Sequence, residues 1–471
     1  MILARSCLAA LAAWAIGAQA APDPFQSTYR PAAAAPTLIR NATVLDGTGR
    51  RLDGADVLMR DGKIVAVGAG LAADGATVVD AQGRWVTPGL IDVHSHLGVY
   101  ASPGVNAHQD GNEMTDPVTA GVWAEHGVWP QDPGFATALA GGVTTLQVLP
   151  GSANLIGGRG VTLRNVRATT MQAMKFPGAP HGLKMACGEN PKRVYGAKSR
   201  APSTRMGNVA GYRQAFADAQ DYRRQHETYQ RDLASHEAQA PGGKKKRTKD
   251  DGETARPTPP KRDLRLETLV AAMDGDIRVH IHCYRADEMA VMLDLAREFG
   301  FKVAAFHHGV EAYKLADRLA SEGVCGALWA DWWGFKMEAY DAIWENIAFV
   351  DAPANGCAIV HSDSAEGIQR LNQEAAKAMS RGQRAGLDIP PERAIRWVTA
   401  NAARSLGVEA QVGTLEPGKL ADVVIWNRDP FSVYARADRV YVEGALAYDR
   451  AGPAGPPASD FLLGQPAGGA L

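Results

Sequence analysis

The middle of the sequence alternates short apolar runs with amphipathic stretches, and this alternation constrains the fold more than any other feature. The apolar runs have the length of buried strands, and stretches such as DEMAVMLDLAREFG and EAYKLADRLASEG have helical spacing. Repeated strand–helix units favour a parallel sheet covered by helices. Residues 86–411 are therefore predicted to form an α/β fold, a (β/α)8 TIM-like barrel. The predicted strands are GVTTLQVLPG, GLKMACGEN, IRVHIHCY, FKVAAFHHG, VCGALWADW and GCAIVHSD.

The regions that flank this middle part are rich in short strands separated by turns. Residues 37–85 contain several such runs, and Asp61-Gly62 between two of them is a strong hairpin signal. Residues 412–450 repeat the pattern in ADVVIWN and DRVYVEGALAYD. We expect the two regions to meet in one small composite β-sandwich domain beside the barrel.

The first 20 residues have the features of a cleaved signal peptide. Arg5 gives a positive start, Leu8 to Ile16 form a short apolar stretch, and Ala18-Gln19-Ala20 fits cleavage after Ala20. The apolar stretch is too short for a stable bilayer span, so we expect no membrane anchor. The sequence thus predicts a periplasmic or secreted protein, with residues 21–36 as a linker and residues 451–471 as a flexible tail.

One insertion interrupts the barrel pattern. Residues 211–237 have the composition of a polar helix, and the segment at about 237–262 is predicted to be disordered because it lacks apolar residues. The chain has 50 Lys+Arg against 51 Asp+Glu. This balance gives no broad basic surface, so we expect a small-molecule substrate and no nucleic-acid partner. The sequence leaves open whether the protein is a homo-oligomer.

Four cysteines remain after removal of the signal peptide: Cys187, Cys283, Cys325 and Cys357. Their spacing along the chain matches neither a disulfide framework nor a zinc ribbon. Free cysteine behaves as a small buried apolar residue. The sequence by itself therefore favours four buried thiols over disulfides, even in an exported protein.

A pair of histidines follows the apolar run GLIDV at the start of the barrel region. Side chains alternate along a strand, so His94 and His96 project to the same side. Two imidazoles at this spacing can share one divalent metal ion, whereas a core strand gains nothing from two histidines that each need a hydrogen-bond partner. Two hydrogen-bonded surface histidines are the alternative. The apolar lead-in and the strand-ending Gly98 favour the metal site.

Two motifs resemble the amidohydrolase superfamily. TPGLIDVHSH is similar to its first barrel strand, and LEPGKLADVVIWN is similar to its C-terminal return into the small β-domain. The similarity runs from Thr37 to about Asp449 and is greatest to the imidazolonepropionase-like subgroup of exported bacterial proteins. This resemblance implies a (β/α)8 barrel that holds one or two divalent metals, usually zinc. The implied ligands are the strand-1 His-x-His pair, a middle-strand acid or carboxylated lysine, histidines on strands 5 and 6, and a strand-8 aspartate.

The sequence has a candidate for each ligand that the resemblance implies. They are His94 and His96 on strand 1, Glu189 on the middle strand, His282 on strand 5, His308 on strand 6 and Asp363 on strand 8. Asp363 is also the candidate catalytic residue, as a general base that passes the proton of water to the leaving nitrogen.

Neighbouring residues leave alternatives open. His280 points the same way as His282 but lies deeper in the strand, which favours a packed core role. His307 is expected to face the opposite side and is the runner-up on strand 6. Glu189, at the rim from which barrel enzymes take catalytic groups, is preferred as the middle ligand. Lys184 is the alternative, and if carboxylated it would bridge two metals.

Polar residues beside these motifs are weaker candidates for substrate binding. They are Arg193, Tyr195, Arg205, Arg285 and His361. A guanidinium pairs bidentately with a carboxylate, although ordinary salt bridges are an equally good reading. Gly157-Gly158-Arg159-Gly160 lacks a phosphate-binding pattern and is predicted to be at most a flexible loop hinge. Trp329, Trp332 and Trp333 either line a pocket or belong to the core.

The most direct function is hydrolysis of an amide or cyclic-amide carbon–nitrogen bond by metal-activated water. A periplasmic metallo-dipeptidase, including a prolidase-like one, would use the same residues. The non-enzyme alternative is a barrel that binds a small molecule without turnover, and Asp363 counts against it. A deaminase is the least favoured, because IHCYRADE offers no clear match to the additional strand-5 group of such barrels.

Overall fold

The computed structural model describes residues 23–239 and 255–452. The predicted signal peptide, most of the predicted disordered insertion and nearly all of the predicted tail lie outside these residues. Residues 23–36, predicted as a linker, contain no helix or strand. The Asp23 carboxylate pairs with the Lys175 ammonium at 2.6 Å, so this segment lies against the barrel.

The described residues contain sixteen strands in two sheets. The first five are β1 (Thr37–Leu45), β2 (Arg51–Arg60), β3 (Lys63–Gly68), β4 (Thr77–Asp80) and β5 (Trp85–Pro88). The next eight are β6 (Leu90–Ser95), β7 (Val143–Val148), β8 (Ile156–Arg164), β9 (Gly182–Ala186), β10 (Arg278–His282), β11 (Val303–His307), β12 (Cys325–Leu328) and β13 (Ala358–Val360). The last three are β14 (Val423–Trp426), β15 (Ala437–Val442) and β16 (Ala445–Asp449).

Ten α-helices connect or follow these strands in the described part of the chain. They are α1 (Pro133–Ala140), α2 (Glu189–Gly196), α3 (Arg205–Gln239), α4 (Leu264–Asp274), α5 (Ala286–Phe299), α6 (Ala316–Glu322), α7 (Asn346–Asp351), α8 (Leu371–Arg384), α9 (Pro391–Ala394) and α10 (Ala400–Leu406). The predicted polar helix lies within α3. None of the described helices combines the length and the apolarity needed to cross a bilayer.

Strands from both flanking regions form one sheet, as the sequence predicts. Its order is β16-β15-β14-β5-β1-β2-β3, and β4 also pairs with β1. Asp61 and Gly62 have φ angles of 51° and 75°. Positive φ at both central residues is what a tight two-residue hairpin requires, and these residues connect β2 to β3. The predicted small composite β-domain is confirmed as this branched sheet.

The second sheet is a barrel of eight strands in the order β6 to β13. All six strands predicted in the barrel region are present, and the predicted fold class is confirmed. The barrel is nearly closed between β6 and the segment after β13, where the Asp363 N–H donates to the His94 carbonyl at 3.0 Å. One departure is that β8 runs antiparallel to both β7 and β9. The other adjacent strands are parallel.

Helix α5 shows how the sequence pattern forms the outer layer. Its buried residues include Met289, Met292, Leu293 and Ala296, which recur every three to four positions along one face. The helix ends at Gly300, whose φ of 82° gives the left-handed cap that glycine adopts without penalty. The apolar face packs on the barrel, and the helix connects β10 to β11.

The glycine-rich segment predicted to be a hinge is part of strand β8, so that prediction is wrong. A Cβ on Gly158 would lie 2.2 Å from the Val122 carbonyl oxygen, and its φ is +118°. Glycine therefore allows a close backbone approach here, which is the other common use of this residue in a strand. The glycines were predicted to make this segment flexible, whereas in the structure they allow close packing of the backbone.

The prediction of four free thiols is also wrong, because the cysteines form two disulfides. Cys187 pairs with Cys283, with Cα atoms 5.2 Å apart. Cys325 pairs with Cys357, with Cα atoms 4.6 Å apart. Parallel pairing of β9 with β10 places Ala186 opposite His282, so the cysteines that follow them are neighbours. The 96-residue separation of that pair hides the proximity from sequence reasoning.

Candidate metal centre

A cavity of about 430 Å³ opens at the carboxyl ends of the barrel strands. Parallel strands deliver their terminal side chains to this face, where barrel enzymes hold their active sites. Six of the residues discussed as ligands line the cavity: His94, His96, Lys184, His282, His308 and Asp363. The structure therefore brings together side chains that are scattered over some 270 positions of the chain.

The Asp363 carboxylate lies among the imidazoles. Its Oδ1 is 3.1 Å from His96 Nε2 and 3.6 Å from His94 Nε2. Its Oδ2 is 3.7 Å from His308 Nε2. Ligand atoms of His94, His96 and Asp363 all lie within 4.8 Å of one another, and so do those of His94, His308 and His361. Imidazole and carboxylate donors at these separations suit a divalent transition metal.

Two of these residues have an unusual backbone conformation. His308 has a φ of 65° and Asp363 a φ of 49°. Non-glycine residues at positive φ are uncommon and cost roughly 1–3 kcal/mol each. Such conformations cluster at functional sites, since the surrounding structure must hold them. His308 directly follows β11 and Asp363 lies three residues after β13, so the turn that leaves each strand directs a side chain into the cavity.

Two buried ring nitrogens in the histidine cluster lack hydrogen-bond partners among the described residues. They are Nδ1 of His282 and Nδ1 of His361. The second nitrogen of His361, Nε2, lies 3.2 Å from His308 Nδ1. A buried polar atom without a partner is costly, and binding of an ion at the site is one established explanation. The orphaned nitrogens therefore support a metal-binding role for this cluster.

The electrostatic environment keeps His94, His282 and His308 neutral. Burial, followed by the nearby Lys184 charge, holds the pKa of His94 and of His282 well below the ordinary histidine value. Burial together with the neighbouring His361 has the same effect on the pKa of His308. Neutral imidazole is the form that binds a metal. Burial alone would raise the pKa of Asp363, but its contact with His96 and the nearby positive charge of Lys184 lower it overall, which keeps an anionic ligand available.

The structure separates the two candidates for the middle ligand. Lys184 Nζ lies 3.3 Å from His94 Nε2 and donates to the Pro150 carbonyl at 2.9 Å. Burial lowers the pKa of Lys184 to about 8. Glu189, the preferred candidate, is the first residue of α2 and does not line the cavity; its carboxylate faces Lys336 at 3.6 Å. Only Lys184 is thus close to the histidine cluster.

A chain of three buried imidazoles lies behind the cavity. His307, predicted to face the opposite side from His308, has its Nδ1 2.8 Å from His94 Nδ1. Its Nε2 is 2.9 Å from Nδ1 of His280. His280 is fully buried beneath the cluster, where the sequence places it as a core residue. Sequence reasoning missed that His307 contacts His94 directly and that His280 contacts His307. The signal in the sequence was that His307 and His280 lie next to His308 and near His282.

The weaker substrate-binding candidates are engaged elsewhere. Tyr195 is buried and donates to the Asp116 carbonyl at 2.7 Å. Arg205 pairs with Glu288 and Glu338, Arg285 pairs with Asp287, and Arg193 is exposed. His361 is buried beside His308. None of these five residues lines the cavity, so their predicted role in binding substrate gains no support from its geometry.

The cavity walls contain residues that sequence reasoning missed or left open. Trp329 and Trp332 line the cavity, whereas Trp333 packs against Trp344 with ring centroids 4.9 Å apart. Ser152, Asn190, Tyr284, Phe335 and Lys336 complete the lining. The run WADWWGFK after the seventh barrel strand was a usable signal, because loops after barrel strands form this face. The position of Lys336 needed the tertiary structure.

Comparison with a solved structure decides the family. An amidohydrolase from Thermotoga maritima MSB8 is 34% identical to this chain with a TM-score of 0.75, and the match covers 88% of this chain and 100% of that one. The chain belongs to the amidohydrolase family. The family resemblance seen in the sequence is thereby confirmed, and a model of the amidohydrolase family also matches residues 347–447.

Two further relatives agree with this family assignment. Amidohydrolase tasK of Hapsidospora irregularis is 31% identical over 461 residues, covering 88% of this chain and 43% of that protein. The chain thus spans less than half the length of that relative. An imidazolonepropionase of Mesorhizobium japonicum is 45% identical over 74 residues, which is 14% of this chain. This short match gives partial support to the imidazolonepropionase-like subgroup within the family.

Proposed function

We propose that the protein is a metal-dependent hydrolase that cuts an amide or cyclic-amide carbon–nitrogen bond in a small-molecule substrate. The observation that carries this proposal is that His94, His96 and His308 surround the Asp363 carboxylate within 3.1–3.7 Å at the cavity. Family membership supports it independently. A small-molecule-binding barrel without turnover would not need a partly buried carboxylate beside several neutral imidazoles.

The residues fit a divalent metal, for which we propose zinc. His94, His96, His282, His308 and Asp363 would hold one ion, and Lys184 in carboxylated form would allow a second. When bound, such an ion acts as a Lewis acid and lowers the pKa of water toward ~7. We therefore prefer Lys184 to Glu189 as the middle ligand, since Lys184 lies 3.3 Å from His94.

Asp363 is proposed to move the proton. Its Oδ1 lies 3.1 Å from His96 Nε2, and the lowered pKa of the Asp363 carboxyl group keeps it anionic. The carboxylate takes the proton of the attacking water and donates it to the leaving nitrogen, as a general base that becomes a general acid. The chain thus supplies orientation and proton transfer.

The proposal is tested by metal analysis and by turnover of a panel of N-acyl amino acids, dipeptides and cyclic amides. Removal of metal with dipicolinate should abolish turnover, and zinc should restore it. Asp363→Asn should lower kcat by about 10²–10⁴-fold with the fold intact, whereas the surface variant Asp287→Asn should behave as wild type. Full activity of Asp363→Asn would contradict the mechanism. Loss of bound metal in Glu189→Gln but not in Lys184→Ala would reverse our choice of middle ligand.

Export is proposed on separate grounds. Disulfides persist in oxidising compartments and are rare in the cytosol of most organisms. The pairs Cys187–Cys283 and Cys325–Cys357 therefore support a periplasmic or secreted location. Mass spectrometry of the protein isolated from its native compartment would test this, because an intact Met1 would contradict cleavage after Ala20.

A further inference from the structure

The cavity above the histidine cluster has one apolar wall and one polar wall. Tyr284, Trp329, Trp332 and Phe335 form the apolar wall, and Ser152, Asn190 and Lys336 lie on the polar side. Trp332 is 40% exposed and Phe335 is 60% exposed. Large aromatic side chains that remain exposed at the mouth of a cavity indicate a surface that a ligand covers.

Lys336 is the charged group on the polar wall and retains hydrogen-bonding capacity. Its Nζ donates to Asn190 Oδ1 at 3.1 Å. The carboxylates of Glu189 and Glu338 are farther away, at 3.6 and 3.8 Å. An ammonium has three donors, so a substrate carboxylate would compete with these two longer ion pairs for the donors that Asn190 does not take. The face of Tyr284, 4.2 Å from Nζ, holds the ammonium at the cavity.

Asn190 sets the distance between Lys336 and the reacting centre. Its Nδ2 lies 3.3 Å from His282 Nε2, and its Oδ1 accepts the hydrogen bond from Lys336. A single amide group therefore separates the ammonium from a metal-ligand candidate. An anionic group bound by Lys336 would lie only a few bonds from the scissile carbon–nitrogen bond. This matches the α-carboxylate of an amino acid whose amine forms the amide.

We infer that the substrate is an N-acyl-α-amino acid or dipeptide whose carboxyl-terminal residue has a free carboxylate and an aromatic or large apolar side chain. Lys336 binds the carboxylate, and Trp332 and Phe335 contact the side chain. Hydrolysis forms the acyl C–O bond from water, breaks the C–N bond and leaves a proton on the released α-amino nitrogen. This inference rests on the proposed function, and it favours the dipeptidase alternative over cyclic amides.

Matched substrates test the inference in the zinc-loaded full chain. N-acetyl-L-phenylalanine should have a kcat/KM at least about tenfold above that of N-acetyl-L-phenylalaninamide, which lacks the carboxylate, because a charge-assisted hydrogen bond is worth about one order of magnitude or more. It should exceed N-acetyl-L-alanine by a similar factor, because the methyl side chain leaves the aromatic wall uncovered. Binding of the same compounds to Asp363→Asn, measured by calorimetry, gives a readout that is independent of turnover.

Two variants assign the effect to the two walls. Lys336→Met should remove the preference for the free carboxylate, and Lys419→Met is the matched control, since both lysine side chains are similarly buried, at 17% and 19% exposure. Phe335→Ala should reduce the preference for phenylalanine over alanine without unfolding the protein. Tyr434→Ala, an exposed aromatic position outside the cavity, should change neither ratio.

The outcomes separate this inference from the proposed function. Turnover of amides with no preference for the carboxylate overturns the inference and leaves the hydrolase intact. A Lys336→Met variant that keeps the wild-type ratio also overturns it. If no amide is hydrolysed, calorimetry still tests the inference. N-acetyl-L-phenylalanine that binds no better than its amide overturns it. Tighter binding of N-acetyl-L-phenylalanine supports recognition of the carboxylate and contradicts only the proposed hydrolase activity.

Discussion

The contact between His94 and His307 determines which ring nitrogen of His94 carries the hydrogen. Nδ1 of His94 and Nδ1 of His307 are 2.8 Å apart, so one hydrogen is shared between two nitrogens. If Nε2 of His94 faces the metal position, its Nδ1 must carry the hydrogen and donate to His307. The Nε2 of His307 then donates to His280, 2.9 Å away. A ligand histidine held in this way is better ordered and more basic.

Replacement of His307 should therefore weaken metal binding. We expect His307→Leu to raise the zinc Kd by about 10–100-fold, because the hydrogen-bond partner of His94 is lost. His307→Gln has a similar size and retains a hydrogen-bonding group, so its effect should be smaller. Zinc competition against a chromophoric chelator measures both, and thermal unfolding of the metal-free proteins controls for general damage. Wild-type zinc affinity in the leucine variant would refute this orienting role.

At the scale of elements, the two disulfides join neighbouring barrel strands at opposite ends. Cys187 and Cys283 directly follow β9 and β10, at the face that carries the cavity. Cys325 is the first residue of β12, and Cys357 directly precedes β13, so this pair lies at the other face. One cross-link therefore holds His282 next to the strand that carries Lys184. The other stabilises the barrel far from the site.

Removal of each disulfide should separate these two roles. Replacement of both cysteines of either pair by alanine should lower the free energy of unfolding by roughly 3–5 kcal/mol. The loss should be larger for the 96-residue loop than for the 32-residue loop, because a cross-link that closes a longer loop removes more entropy from the unfolded chain. Only the Cys187→Ala/Cys283→Ala variant should also bind zinc more weakly. Denaturant unfolding and zinc titration measure the two effects. Equal zinc affinities in the two double variants would count against a positioning role for Cys187–Cys283.

At the scale of the whole molecule, a buried ion cluster joins the barrel to the β-domain. Arg164 of β8 is fully buried and donates to both Asp422 carboxylate oxygens, at 2.6 and 2.7 Å. Its Nε lies 3.3 Å from the Glu443 carboxylate. Burial lowers the pKa of Arg164, but the two carboxylates raise it overall. The antiparallel strand β8 thus contributes the charge that holds the two sheets in a fixed arrangement.

Breaking this cluster should destabilise the protein strongly. Arg164→Met leaves the Asp422 carboxylate buried without its partner, so we expect a loss of about 3–5 kcal/mol in the free energy of unfolding. The control Arg297→Met removes an exposed ion pair and should change stability by less than about 1 kcal/mol. Guanidinium unfolding compares the variants. An Arg164→Met protein as stable as wild type would show that the interface is held by apolar packing instead.

Local patterns were sufficient for most of the barrel strands, although they missed β8. The period of apolar residues reports which face of a strand or helix is buried, and this information is contained in a few consecutive residues. The barrel, the joined β-domain and the pair His94–His96 were therefore predictable from the sequence. His282, His308 and Asp363 were assigned through family resemblance, and the structure places them at the same cavity.

The tertiary structure decided what depends on contacts between distant segments. The disulfides, the antiparallel direction of β8, the nearness of Lys184 to His94 and the histidine chain through His307 all arise from strand pairing across many residues. A sequence pattern specifies which side chains point inward from one strand. It does not specify the depth at which inward side chains of different strands meet, because register and barrel closure set that depth.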